Sequence, residues 1–524
     1  MFRVLVSDKM SEEGLAPLLQ SNNIECIQKN VKDVTDLDSY DALLVRSATQ
    51  VTEELMEKMP NLKIIARAGV GVDNINLDAA TKRGIIVVNA PSGNTISTAE
   101  HSFAMMMALA RKICQANNSI KSGEWNRSAF QGMELLGKKL GIIGFGRIGM
   151  EIAKRAKAFE MEVLAYDPFL TPDRANKVGV TQVDLDFLLE NADIITVHTP
   201  LTKETKGLLN VETLKKTKPG VLIINCARGG IVDEDALKHY IENGHVGGAA
   251  LDVFEEEPTK NTELLALDQV IATPHIAAST GEAQLNVAVI VSEEVLNFAN
   301  GKPVRNGINI PSVAADILEK IKPYYELNKA MGTFISKLAK GSVKEFELIY
   351  SGDITKLETS LATRAFIAGF LQPKVSWIVN DVNAPAIAKD YGITYGEKHR
   401  DNGSPYANSV KVIVTSSNNE KVTLEGTHIK ELGPRIVNID GFDVDFEPQG
   451  HVLVVDHIDK PGVIGNLGQL LGAHDINIGS MQVGRKVPGG AALMILNVDK
   501  SPSDDVLRKV MEIPEITAIE SIDF

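Results

Sequence analysis

The chain has 524 residues, of which 44% are apolar and 23% charged, and its 54 Lys and Arg against 68 Asp and Glu leave a formal net charge of −14. That balance argues against a nucleic-acid binder, which needs clustered cations, but leaves room for a local basic pocket that takes a small anion. At ~150 residues per domain the length predicts about three or four domains, and no apolar run approaches the roughly 20 residues of a membrane span.

Through about residue 95, the apolar runs FRVLV (2–6), DALLV (41–45), LKIIA (62–66) and IIVV (85–88) alternate with amphipathic stretches. This predicts a small parallel sheet flanked by helices. A helix follows over roughly 98–112, where FAMMMALA reads as core filler between two lobes. From 138 to 275 the alternation strengthens, with strand candidates at 140–144, 162–166, 193–198, 221–226, 248–252 and 270–274. Their almost wholly apolar composition suits strands buried on both faces, and six of them predict a doubly wound sheet. A second long helix is expected over 280–300, and NGKPVRNGINIPS (300–312) reads as a linker. Beyond it, 313–445 mixes helices near 316–340 and 356–370 with strands at 346–352, 410–415 and 421–426, an α+β unit. Residues 451–524 run βαββαβ, the ferredoxin-like order.

GFGRIG (144–149) follows one strand and opens a helix, and Asp167 ends the next strand. In that setting Gly144 permits the tight turn, Gly146 admits a pyrophosphate to the backbone, and Gly149 lets helix and strand pack. The helix N-terminus offers unpaired N–H groups to the anion. Asp167 suits ribose hydroxyls and repels a 2′-phosphate, so the cofactor expected is NAD rather than NADP. Thr199, Arg228, Asp252 and His275 each stand where a parallel strand ends, the side of such a sheet that faces the ligand. An imidazole can take a hydroxyl proton, a carboxylate on its other nitrogen fixes the tautomer, and a guanidinium can hold a substrate carboxylate. His275, Glu257 and Arg228 fit these roles. The three cysteines (Cys26, Cys114, Cys226) are far apart and form neither a disulfide framework nor a metal set, so no metal is expected.

CARGGIVDEDAL (226–237), ALDVFEEEP (250–258) and TPHIAAST (273–280), with GFGRIG, resemble the NAD-dependent D-2-hydroxyacid dehydrogenases over essentially residues 1–305. The resemblance implies Arg228, Glu257 and His275 as catalytic residues. It puts Gly144, Gly146, Arg147, Ile148, Gly149, Asp167, Thr199, Cys226, Ala227, Asp252, Ala277 and Ala278 on the cofactor. It also implies two doubly wound lobes, a substrate lobe formed discontinuously by 1–97 and 285–305 and an NAD lobe over 98–284.

Arg46 and Arg67 each follow a strand of the first lobe, so both face the crevice, and two extra cations suggest a second anionic group on the substrate. VRSATQVT, RAGVGVDNI and NAPSGNTISTAEH resemble the D-3-phosphoglycerate dehydrogenase branch of the family. That resemblance implies 3-phosphoglycerate and 3-phosphohydroxypyruvate as substrate and product. It places Arg46, Arg67, Gly69, Val70 and Gly71 on the substrate, with Arg127 reaching it from a neighbouring subunit. Val70 stands where many relatives have Thr.

The last unit (449–524) resembles the ACT regulatory domain of the long-form enzymes, which implies L-serine as effector at His457, Asp459 and Asn477 of a dimer interface. Residues 306–448 resemble the intervening domain of the longest members, of allosteric role. A homodimer or homotetramer is expected, in the cytoplasm, with no nucleic-acid or membrane partner. Two alternatives stand beside this reading: a related dehydrogenase acting on another acid such as glyoxylate or lactate, and a non-enzymatic NAD-sensing corepressor-like scaffold.

Overall fold

Short runs of Val, Leu and Ile, closed by polar turn residues, become two parallel sheets in the computed structural model, which describes residues 1–311, 315–401 and 405–524. The first sheet contains β1 (Phe2–Val6), β2 (Ile24–Gln28), β3 (Ala42–Val45), β4 (Ile64–Arg67) and β5 (Ile86–Asn89) in the order β2-β1-β3-β4-β5. Edge strand β2 escapes the sequence reading because IECIQ is only half buried and carries Glu25 and Gln28. The second sheet contains β6 (Lys139–Ile143), β7 (Glu162–Tyr166), β8 (Thr181–Gln182), β9 (Ile194–Val197), β10 (Val221–Asn225), β11 (Val246–Leu251) and β12 (Val270–Ala272). Its order, β12-β11-β10-β9-β6-β7-β8, reverses direction between β6 and β9. At such a switch point the loops leaving neighbouring strands diverge and open a crevice.

Two helices join the lobes. Thr95–Ala110 leads into the second sheet, and Gly281–Ala299 returns to the first. The returning helix buries Val287, Ala288, Val291 and Val295 with Val4, Val6, Leu15 and Leu18, so the first lobe's core is completed by residues from far along the chain. Ser97 and Thr280, near the starts of the two helices, share a 2.7 Å hydroxyl hydrogen bond. The segment read as a linker is docked as far as residue 311; residue 312 lies outside the described residues. Asn309 accepts from the Val87 N–H and donates to Thr81 and the Ile85 carbonyl, Gly307 bridges Val88, and Val304 is buried. Gly and Pro in that stretch mark an irregular path along β5 rather than free chain.

A long helix, Ala315–Leu338, opens the third unit. Its sheet contains β13 (Val343–Gly352), β14 (Thr394–Arg400), β15 (Asn408–Ser416), β16 (Lys421–Ile429), β17 (Gly433–Ile439) and β18 (Phe442–Phe446), ordered β14-β13-β15-β16-β17-β18. Only three of the six were expected. β14, TYGEKHR, is exposed at every position and so shows no alternation to read. The fourth unit has β19 (His451–Ile458), β20 (Ile478–Arg485), β21 (Ala491–Val498) and β22 (Ile516–Asp523), with helices after β19 and β21, and its sheet runs β20-β21-β19-β22. Val452, Val454, Leu493, Ile495 and Ile522 share one core with Phe334, Phe346 and Phe446, so these two units pack as one body. Among the described residues, no helix is long and apolar enough to cross a membrane.

Candidate active site

The glycine loop after β6 is shaped for a backbone-bound anion. Gly144 stands at φ 92°, and a Cβ there would lie 2.6 Å from the His198 carbonyl. A Cβ on Gly149 would collide with the Gly144 carbonyl. Gly146 differs from both. It N-caps the helix Arg147–Ala158, and nothing lies within 4 Å of where its Cβ would be. Two glycines are thus demanded by the protein's own packing, while the third keeps space open at a helix N-terminus, as dinucleotide binding requires. Asp167 accepts from the Phe145 and Phe169 N–H groups (both 2.8 Å), which fixes the loop's tilt. Arg147 and Ile148 begin the helix, and the Arg147 guanidinium reaches the Pro91 carbonyl at 3.5 Å.

At the end of β9 the Thr199 hydroxyl is buried without a hydrogen-bond partner. Beside it, burial pushes the His198 imidazole down to about 3, so it is neutral. The unpartnered Thr199 hydroxyl and His198 Nδ1, with the open space at Gly146, fit a bound dinucleotide. Two expected cofactor contacts are buried. Cys226 lies in the core, where burial pushes its thiol up to about 12. Asp252 is fully buried, and its carboxylate accepts from the Thr273 hydroxyl and the Ile276 and Ala277 N–H groups. Ala277 is buried beside Asp252, while Ala227 and Ala278 are partly exposed.

Glu257 and His275 meet. The His275 Nδ1 lies 2.7 Å from Glu257 Oε2, and Glu257 Oε1 accepts from the Phe254 N–H at 3.2 Å. A carboxylate only accepts, so Nδ1 carries the proton and the neutral ring presents Nε2 as a base. His275 stands at φ 53°, a left-handed conformation that costs a non-glycine residue about 1–2 kcal/mol. Arg228 belongs to the same wall. Asn225 shapes its turn by bonding the Arg228 carbonyl and the Ala227 N–H, and Gly229 packs so tightly on the Phe254 carbonyl that a Cβ there would collide. Phe254 in turn is tied to Glu257. The Arg228 guanidinium is held through Nε by Asp73 (3.2 Å) and through one Nη by the Ala227 carbonyl (2.7 Å), and its outer fork is left for a ligand.

Asp73 belongs to the first lobe, so this ion pair bridges the crevice. Gly71 makes the approach possible, since a Cβ there would collide with the Arg228 fork. Arg67, the last residue of β4, sits beside both. Burial and repulsion from Arg228 push its pKa down, Asp73 pushes it back up, and Arg46 adds further repulsion. Its Nε is buried without a partner. Arg46 is anchored by its backbone N–H to Asp8 (2.6 Å), while its side chain reaches the Lys9 carbonyl at 3.4 Å. Gly69 keeps clear of the Arg67 guanidinium, and the Val70 carbonyl is tied to Asn89. Arg127 lies elsewhere, on the exposed turn Arg127–Phe130 beside Trp125. Three participants were not singled out in the sequence: Asp73, His101 (which reaches Asp252) and Asn94, whose Oδ1 is buried and unpartnered at the start of the joining helix. Asp73 and His101 are defined by contacts between distant segments and Asn94 by its burial, none of which a local pattern carries.

Comparison with known proteins agrees with this geometry. The model of the D-isomer specific 2-hydroxyacid dehydrogenase NAD-binding domain matches residues 103–277. The D-3-phosphoglycerate dehydrogenase intervening domain matches 320–440, and the ACT domain 451–515. Over 524 residues, the whole of both chains, the sequence is 56% identical to a D-3-phosphoglycerate dehydrogenase of Bacillus subtilis. The chain belongs to the D-3-phosphoglycerate dehydrogenase family. A relative of the same name from Archaeoglobus fulgidus is 46% identical over 98% of both chains. Among solved structures, a D-lactate dehydrogenase of Aquifex aeolicus complexed with NAD and lactic acid is 33% identical, with a TM-score of 0.53. It covers 59% of this chain and 100% of its own. This member of the phosphoglycerate dehydrogenase family is therefore an NAD-dependent oxidoreductase.

The family's ACT unit places its three expected effector residues at two ends of one sheet. His457 on β19 and Arg485 on β20 both register with Ala492, whereas Asn477 precedes Ile478, which registers with Val498 and so lies at the His451 end. Asp459 accepts from the Gly489 N–H (3.1 Å) and Arg485 (3.2 Å), which together hold its carboxyl below the usual range. The His457 ring is buried, with Nδ1 near the Ile458 carbonyl and Nε2 unpartnered. One chain thus assembles His457 and Asp459 but not Asn477.

Proposed function

We propose that the protein oxidises D-3-phosphoglycerate to 3-phosphohydroxypyruvate in the cytoplasm, opening phosphorylated L-serine synthesis, and that L-serine inhibits it. The observation that carries the substrate assignment is the gathering of Arg46, Arg67 and Arg228 in one electrostatic cluster beside the His275–Glu257 wall. A substrate with a single carboxylate does not need three guanidiniums; one with a carboxylate and a phosphate does. NAD held at the Gly144–Gly149 loop would supply the acceptor for the hydride of the carbinol carbon. His275 Nε2 takes the hydroxyl proton, and Glu257 stabilises the imidazolium that results. The Arg228 fork holds the carboxylate and polarises the forming carbonyl. Arg67 and Arg46 receive the phosphate, and the Gly69–Gly71 backbone lets the substrate approach. NADH formation from D-3-phosphoglycerate, followed by absorbance with and without L-serine, tests the assignment; no NADH with this substrate defeats it.

Arg46→Ala is expected to raise KM for 3-phosphoglycerate by roughly 10- to 100-fold, the range for losing a charge-assisted contact. KM for an unphosphorylated D-2-hydroxyacid should stay near its starting value. Equal changes for both substrates remove the phosphate role.

A second copy completes the remaining sites. The helix Ile113–Lys121 buries none of its residues, and Trp125 beyond it is 81% exposed. The exposed Ile113, Ile120 and Trp125 there suit a homodimer contact, which puts Arg127 within reach of the neighbour's phosphate site. Two copies apposed two-fold along edge strand β20 bring Asn477 of the partner subunit to the His457–Asp459 end, and both contacts together make a homotetramer. Asn477→Ala is expected to raise the serine concentration for half-inhibition at least roughly tenfold, as loss of a buried ligand hydrogen bond does. An unchanged inhibition curve removes Asn477 from the effector site.

A further inference from the structure

A base works only if its ring is held, and the backbone of His275 does not hold itself in its left-handed conformation. Three donors from the segment around it converge on one carboxylate. Asp252 Oδ1 accepts from the Thr273 hydroxyl (2.6 Å) and the Ile276 N–H (2.8 Å), and Oδ2 accepts from the Ala277 N–H (2.9 Å). Asp252 thus grips the chain on both sides of His275 while remaining wholly inaccessible.

A further donor comes from the other side of the crevice floor. His101, on the joining helix Thr95–Ala110, places Nε2 3.4 Å from Asp252 Oδ1 and 3.2 Å from the Thr273 hydroxyl. The single hydroxyl hydrogen of Thr273 goes to the carboxylate at the shorter distance, so His101 Nε2 must be the donor in both of its contacts. The ring is mostly buried and its reactive nitrogen is committed to Asp252, which leaves it no part in the chemistry itself. We propose that His101 is a positioning residue for the catalytic imidazole. Through Asp252 it clamps the 273–277 strap that carries His275, and it ties that strap to the helix joining the two lobes. This rests on reading His275 as the proton acceptor.

The clamp predicts how its loss spreads. Without the Nε2–H, the buried carboxylate keeps only donors from the strap and moves with them, so the imidazole loses its alignment while the glycine loop is untouched. The full-length protein is tested as His101→Ala, His101→Gln (which restores an N–H donor), His275→Ala, and the double variant His101→Ala/His275→Ala. With D-3-phosphoglycerate and NAD, His101→Ala is expected to lower kcat about 10- to 100-fold, the range for a small misplacement of a reacting group. NADH affinity by fluorescence titration should be unchanged, the melting temperature should stay well above the assay temperature, and His101→Gln should recover most of kcat. In the double variant the residual rate should equal that of His275→Ala alone, because with the imidazole gone His101 has nothing left to position. An unchanged kcat in His101→Ala, a loss that multiplies with His275→Ala, a loss that follows the melting temperature, or no recovery with Gln overturns the proposal. Full activity in His275→Ala overturns instead the reading beneath it.

Discussion

Replacement of His275 by alanine is expected to lower kcat by roughly 10²- to 10⁴-fold, the usual range for removing a general base, or about 3–5 kcal/mol of barrier. NAD affinity should be retained. The dinucleotide cradle is built by Gly144, Gly146 and Gly149 and oriented by Asp167, and none of these depends on the imidazole. KM for the hydroxyacid should change little, since its anionic ends are assigned to arginines and not to His275. Glu257→Gln should cost less, because an amide still fixes the ring but cannot stabilise its protonated form. Steady-state kinetics with separate NADH fluorescence titration checks the split. A parallel loss of cofactor affinity and turnover contradicts the assignment of His275 as a base.

Much of this site was legible because parallel sheets impose a rule. Residues just past the carboxyl ends of buried strands face the crevice, and continuous apolar runs such as IITV and VLIIN show where those ends are. Arg228, His275 and Thr199 follow from that rule. Strands without such runs stay hidden: β2 is half polar and β14 wholly exposed, since each packs at an edge. The same limit explains the site's supporting residues. His101 is one of several polar side chains in the first two turns of its helix, and Asp73 is an exposed loop acid. Each gains meaning only from a partner about 150 residues away in sequence. Asp252 shows the same limit. Its strand-end position points to the crevice, but only the packed structure reveals that the segment carrying His275 bonds its oxygens.

Arg228→Ala is expected to lower kcat/KM by roughly 10²- to 10³-fold, the effect of removing a preorganised donor from a developing oxyanion. Arg228→Lys should recover little, because an ammonium cannot present two parallel N–H bonds to a carboxylate. The structure adds a second readout. Without ligand, Arg228 and Arg46 both repel Arg67, and its burial adds the larger cost. Asp73 relieves it only in part, through an ion pair that is largely solvent-exposed and so contributes little. The free protein therefore carries unneutralised positive charge, which substrate discharges, and 3-phosphoglycerate should raise the melting temperature of the unmodified protein by mass action. In Arg228→Ala one of the three charges is gone and the carboxylate has lost its fork, so the free variant should melt no lower than the parent and the substrate-induced rise should shrink. Differential scanning fluorimetry over a substrate series measures both. A variant that keeps parental kcat/KM and a full substrate-induced rise removes Arg228 from the site. One that loses kcat/KM but keeps the full rise assigns Arg228 to the transition state alone, with the ground-state carboxylate held by Arg67 and the Gly69–Gly71 backbone.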